Sequence, residues 1–173
     1  MAYSVLVAGK IAAKNIDSLD KFGKASVAVE NGHVVVLDTK SNVKGENDVC
    51  NVNVPATATL ASDVFYMVNE PVNVLVNGKY SGLTDDPREF NIPAGKVFTM
   101  YKPMVGDEVV ITADGLAGTK GANTHVVPAD GTTKLTWAAD ASGVSLAYKY
   151  VGDTYVSIGN ERVTAYRFIC VKA

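Results

Sequence analysis

Residues 90–116, FNIPAGKVFTMYKPMVGDEVVITADGL, leave the chain little choice of fold class. Val97, Thr99 and Tyr101 alternate with Phe98, Met100 and Lys102. Successive side chains of a β-strand point to opposite faces, so such a run buries one side. Pro93-Ala94-Gly95 precedes it, and Val105-Gly106-Asp107 separates it from Val109-Val110-Ile111, a β-branched run suited to a covered sheet. The spacing predicts strand, turn and strand. It is a scaffold pattern with no nucleophile, base or ligand set inside it.

The same grammar recurs along the chain. Residues 25–30 and 33–38 flank Asn31-Gly32, the dipeptide that best tolerates positive φ at both turn positions, which predicts a β-hairpin. Residues 39–47 read as a polar loop, and Val49 to Val54 as an alternating strand ended by Pro55. Residues 63–69 (DVFYMVN) and 72–76 predict two strands broken by Glu70-Pro71, and Asn77-Gly78 repeats the tight-turn signal. After a charged loop at 81–89 and the stretch above, GTKGANTHVVPADGTT reads as a surface loop. Strands are then expected at 134–138, 145–150, 153–158 and 162–171. Tyr101-Lys102 before Val105-Gly106-Asp107 is echoed by Tyr148-Lys149 before Val151-Gly152-Asp153, which predicts one hairpin chemistry used twice.

Residues 1–24 lack a clean period of either kind and predict an N-terminal arm, with one helical turn at 18–22 capped by Asp17 or Ser18. Residues 25–173 predict one β domain, with room for a division into two small lobes near 80–115. The fold class is therefore all-β: a sandwich or barrel of about ten short antiparallel strands behind an arm. At 173 residues such a domain buries about 70% of the surface its unfolded chain exposes, so no metal or disulfide is needed to supplement its core. Cys50 and Cys170 sit in alternating apolar runs and are expected to be two buried thiols rather than a disulfide. No stretch approaches the roughly 20 apolar residues of a membrane span, and a net charge of −2 disfavours a nucleic-acid groove, so neither membrane nor nucleic acid is an expected partner.

Each candidate for chemistry has a structural counter-reading. Gly115 to Gly121, GLAGTKG, has glycines and Lys120 but no helix pattern behind them, which a phosphate-binding loop requires; a surface loop is expected. Asp85, Asp86 and Glu89 lack the alternating donor spacing of calcium loops. His33 and His125 belong to no metal-ligand pair, and Ser81-Gly82 and Ser142-Gly143 are turn pairs without a nucleophile's setting. Tyr66, Tyr80, Tyr101, Tyr148, Tyr150, Tyr155, Tyr166 and Trp137 form either a sugar-binding platform or core and cross-strand pairs, and exposure separates the two readings. No catalytic, cofactor-binding or metal-binding residue is expected, and no cofactor; the chain does not read as an enzyme.

Four segments in this order, ASVAVENGHVVVLD, DVFYMVNEP, IPAGKVFTMYKPMVGDEVVIT and VGDTYVSIGNERVTAYRFICVKA, are similar to the β-rich auxiliary or decoration proteins of tailed-phage capsids. The resemblance implies a non-enzymatic virion protein that binds the outside of a shell of major capsid protein, made in the host cytoplasm, with self-association open. It implies no site residues. Contacts are expected from residues 1–24 and the loop near Gly118. The competing readings are a receptor- or carbohydrate-binding module of a fibre or tail, and a tail-tube subunit.

Overall fold

The computed structural model describes residues 2–42, 49–76, 79–82 and 86–173. Along the first part of the chain run β1 (Leu6–Lys10), β2 (Asp20–Ala25), β3 (Val34–Asn42), β4 (Val49–Asn53), β5 (Phe65–Val68), β6 (Asn73–Val76), β7 (Lys79–Gly82) and β8 (Val97–Tyr101). The second part adds β9 (Glu108–Thr112), β10 (Leu116–Ala117), β11 (His125–Ala129), β12 (Thr132–Ala138), β13 (Ala147–Ile158) and β14 (Glu161–Lys172). The class is all-β, without a helix of seven residues or more among the described residues. Five strands close into a barrel in the order β2-β4-β3-β5-β8, and seven form a sheet in the order β1-β9-β14-β13-β11-β12-β10. Strands β6 and β7 pair with each other.

Period-two alternation in the barrel wall feeds two cores at once. Val35, Tyr66, Val68, Phe98 and Met100 fill the barrel, whereas their neighbours Val34, Phe65, Met67 and Tyr101 point out of it. Those outward residues meet Val109, Ile111, Leu135, Tyr148 and Phe168 of the seven-stranded sheet. The barrel wall is thus a strand layer covered on both sides, which is why β3 and β5 are apolar at every position of their paired segments. Gly23 makes the closure fit: a Cβ there would stand 2.9 Å from both Met100 Sδ and Phe98 Cε2.

The expected hairpin at 25–38 does not form. Strand β2 runs parallel to β4 and antiparallel to β8, while β3 pairs with β4 and β5. Asn31 supplies the reason. Its Nδ2 donates to the Glu70 carbonyl at 2.9 Å and its Oδ1 accepts from the Glu70 N–H at 2.7 Å. Gly32 N–H donates to the Val68 carbonyl and Val68 N–H to the His33 carbonyl, both at 2.9 Å. With Gly32 at φ 85°, the Asn-Gly pair prolongs the edge of β5 instead of folding β2 onto β3.

Residues 1–24, expected as an arm docked on the body or on a partner, lie along the body as a strap. Leu6 and Val7 pair with Ile111 and Val110 of β9, and β2 completes the barrel. Between them the chain makes 3-10 turns at Ala12–Lys14 and Asp17–Leu19, with Ile11 and Ala13 buried. Asp107 pins the crossing, its two oxygens accepting the Ala12 N–H at 2.8 Å and the Met104 N–H at 2.9 Å.

Three further expectations change. The strands on either side of Val105-Gly106-Asp107 lie in different sheets, so that turn is a crossing, and its echo at 151–153 falls at a bulge within the single long strand β13. The loop expected after Leu116 contains β11, paired with β12 across Asp130-Gly131. The ten expected antiparallel strands are fourteen among the described residues, and β2–β4 and β10–β12 are parallel. The turn at Asn77-Gly78 lies outside the described residues.

Candidate functional site

The densest polar and aromatic constellation lies across β14, β13, β11 and β12, which follow one another in the sheet. Trp137, Tyr150, Tyr166 and Phe168 share one face; the Trp137 ring centroid is 5.3 Å from that of Tyr166 and 5.7 Å from that of Tyr150, both edge-on. That geometry sets ring edges against ring faces, as aromatic quadrupoles prefer. Lys120 enters from the loop after β10, its Nζ 4.4 Å from the Tyr150 centroid and 5.4 Å from that of Tyr166. The ammonium donates to Tyr150 Oη at 2.8 Å and to Asp153 Oδ1 at 2.6 Å, and the Tyr150 hydroxyl donates to the same Asp153 oxygen at 2.8 Å. The hydrogen bond it donates to Asp153, then that to Tyr150, pushes the Lys120 ammonium up to about 12. A cation so held anchors its loop and is not presented to a phosphate. The GLAGTKG segment contains a 3-10 turn and the short β10, with no helix behind Lys120.

A second cluster is buried between barrel and sheet. His33 Nδ1 accepts the Glu30 N–H at 3.3 Å and lies 2.8 Å from Thr133 Oγ1 of β12, which places the ring proton on Nε2. That nitrogen stands 3.7 Å from Glu30 Oε2, which itself accepts the Ser4 N–H at 2.7 Å. Burial, with the Lys134 ammonium adding to it, pushes His33 down to about 3, so the ring is neutral at ordinary pH. Serine, histidine and carboxylate therefore come together here, a grouping the sequence hid because its members lie at 4, 30, 33 and 133. The order is wrong for a triad: the carboxylate faces Nε2, where a nucleophile belongs, and the acid's usual place at Nδ1 is taken by Thr133 and a backbone N–H. Ser4 and His33 are also only 2% and 4% exposed, which closes the cluster to substrate.

The remaining candidates are tied into the fold. Asp86 accepts from the Arg88 N–H, Nε and Nη2, and Arg88 Nη1 reaches Glu161 at 2.6 Å, so this carboxylate staples the end of the β13–β14 hairpin to the body. Asp85 lies outside the described residues. No group of three potential metal ligands occurs among the described residues. His125 sits on β11 with its Nδ1 2.9 Å from Thr124 Oγ1. Tyr66, Tyr101 and Tyr148 are buried in the two cores, Tyr150 and Tyr166 are half-buried, and Tyr155 is exposed with Arg162 stacked 4.5 Å from its centroid. The Tyr80 side chain lies outside what is described. Cys50 and Cys170 lie on different sheets and are not joined by a disulfide; Cys170 is buried as expected, whereas Cys50 is only half-buried, and burial pushes Cys170 up to about 12, far from reactive thiolate.

The described surface offers open grooves, about 230 Å³ beside Phe65 and Leu146 and about 300 Å³ beside Phe90 and Ile92. The first is lined by Ser62, Asp63, Lys102 and Ser145, but the Ser145 hydroxyl donates to the Asp63 carbonyl and so is committed to the backbone; the second is lined by Glu70, Asn91 and Lys96 among apolar residues. No helix of the described residues is long and apolar enough to cross a membrane. No protein-family model and no curated protein matches this chain.

Proposed function

We propose that this is a non-enzymatic structural protein of a virion, which binds the outside of a phage capsid lattice and stabilises or decorates it. The observation that carries the reading is how the reactive side chains are used. Lys120 is held by Asp153, Arg88 by Glu161 and His33 by Thr133, so each is committed to holding one part of the body against another. What such a body has to offer is surface. Val105, Val151 and Phe22 are among its large side chains left 67%, 54% and 48% exposed, a supply of apolar contact for protein neighbours.

The four segments that resemble decoration proteins form barrel wall, the β8-to-β9 crossing and the β13–β14 hairpin, so the resemblance runs through the load-carrying parts of the fold. The partner is the major capsid protein on the virion surface, reached by assembly in the host cytoplasm. Many copies binding the assembled state but not free subunits stabilise the shell by mass action. A glycan-binding fibre or tail module needs an exposed aromatic platform, and of the tyrosines with described side chains Tyr155 alone is exposed.

Purified protein mixed with shells that lack it should add density at repeating positions on the outer lattice by cryo-electron microscopy. Shells with bare lattices at saturating protein, or protein that forms tubes without any shell, would sink the proposal.

A further inference from the structure

The seven-stranded sheet has two faces, and the barrel covers one. Strand register sets out the other. Val7, Val110 and Arg167 lie side by side across β1, β9 and β14. In the next row Lys10, Glu108, Ile169, Lys149 and His125 follow one another across five strands. None of these side chains is buried. Alternation in β12 puts Lys134 on the same face, since Thr133 and Leu135 on either side of it are buried toward the barrel.

The outer face is thus cationic on an acidic protein. Lys10, Lys149 and Arg167 stand against one carboxylate of these rows, Glu108, in a chain of net charge −2, and Lys134 adds a cation whose Nζ already donates to the Asp114 carbonyl at 2.6 Å. Glu108 is already paired with Lys10 at 3.2 Å, and neither Lys149 nor Arg167 has an ion pair among the described residues. Between the cations lie Val7, Val110 and Ile169, with Val7 43% exposed. A groove of about 240 Å³ opens at the edge, between Val7, Lys10, Glu108, Val110 and Arg167, beside the irregularity where β1 carries Gly9.

We propose that this outer face is a docking surface for a protein that presents carboxylates around apolar side chains. The inference rests on the capsid-binding reading and names the face that meets the shell. Charge complementarity selects an acidic partner and steers its approach. The interleaved valines and isoleucine, with a carboxylate among them, select a protein over a nucleic acid, whose phosphates would satisfy the cations and leave the apolar centre uncovered.

The test compares two charge reversals of equal size. Lys149→Glu with Arg167→Glu alters the outer face, and Lys14→Glu with Lys96→Glu alters exposed lysines elsewhere. Binding to shells lacking the protein is measured by co-sedimentation at about 0.1 M salt, where charges within about 10 Å still interact. The outer-face pair should weaken binding about tenfold or more, with the control pair close to wild type and wild-type binding falling as salt rises. Outer-face variants that bind like wild type overturn the docking face while leaving the capsid reading standing. If wild type ignores the shells, the capsid reading falls and the face is judged by a peptide alternating glutamate and valine. Amide shifts confined to β1, β9, β14 and β13 then uphold it. No shifts, or equal shifts from double-stranded DNA at matched charge, overturn it.

Discussion

The inside of the barrel and the joint between barrel and sheet are equally buried, yet they are built from different materials. Inside, Val35, Val68, Phe98 and Met100 bring no polar group beyond a weak thioether acceptor, Tyr66 adds a single hydroxyl, and packing dominates the arrangement. At the joint, Tyr101, Tyr148, His33, Ser4, Thr112 and Asp107 bring hydroxyl, imidazole and carboxylate groups into the same burial. One of these joins the layers, His33 meeting Thr133 of the sheet; the others act within a layer, Thr112 Oγ1 accepting the Val5 N–H at 2.9 Å beside β1 and Tyr101 Oη donating to Met67 Sδ at 3.1 Å between two barrel strands. Apolar area is indifferent to small slides of one layer over another, whereas a buried hydrogen bond is satisfied in one register only. The difference teaches that the barrel closes mainly on shape, while the buried His33–Thr133 contact fixes how the barrel sits on the sheet.

The largest expected effect tests whether the two regions are one cooperative unit. Phe98 is fully buried inside the barrel, and Phe98→Ala should cost about 3–5 kcal/mol. Trp137, the single tryptophan, belongs to the sheet, so its fluorescence reports the far side of the joint. A shared core requires the Trp137 transition in urea to move by the full amount. A Trp137 midpoint that stays put while far-ultraviolet circular dichroism loses an early component would divide the molecule at the joint.

Acid probes the His33–Thr133 contact. The folded-state value of His33, about 3, lies below the ordinary 6.5, so the folded protein binds fewer protons than the unfolded chain. The stability held by the neutral ring is fully present above pH 6.5 and is lost as pH falls toward 3, at up to about 1.4 kcal/mol per unit. Other carboxylates titrate in the same window, so the measurement is a difference. His33→Gln keeps a side-chain acceptor for the Glu30 N–H and Thr133 without a titrating ring. Wild type should lose roughly 2–3 kcal/mol relative to it between pH 7 and pH 4.5 in urea melts. Parallel pH profiles would mean that the protonated ring finds a partner at the joint, Glu30 being the nearest carboxylate.

The strands that line both cores were legible because period-two alternation is local: β4, β5, β8, β9, β12 and β14 fall where the residues put them to within a few positions. Strand β1 was hidden by its bulge before Lys10, which breaks the alternation after a few residues, and β11 by a setting of glycine, threonine and alanine that reads as loop. The joint could not be read, since His33, Thr133 and Ser4 meet through pairings of strands far apart in sequence. The same holds for the aromatic cluster. Lys120 and its tyrosines were in view singly, and nothing local says that β13 carries Tyr150 and Asp153 to the same lysine. The outer face of the sheet needed the register itself, because its rows are composed one residue per strand.

The Asn-Gly pair gives the smallest and most specific test of how local signals yield to tertiary ones. A turn asparagine serves its own backbone, so replacing it with alanine in an ordinary exposed hairpin costs little. Here Asn31 is 7% exposed, and its amide answers both the N–H and the carbonyl of Glu70, 39 residues away. Asn31→Ala leaves those backbone groups without their partner and should cost about 1–3 kcal/mol. Asn31→Asp retains the acceptor for the Glu70 N–H but sets a carboxylate against the Glu70 carbonyl, so it should rescue only part of the loss. Amide exchange at Glu70 and Val68 distinguishes the two roles. If the side chain prolongs β5, exchange at Glu70 accelerates in both variants, most in Asn31→Ala, while Val68, bonded to the His33 carbonyl, stays protected. Unchanged exchange at Glu70, with disturbance confined to residues flanking position 31, would return the dipeptide to the role of a simple turn.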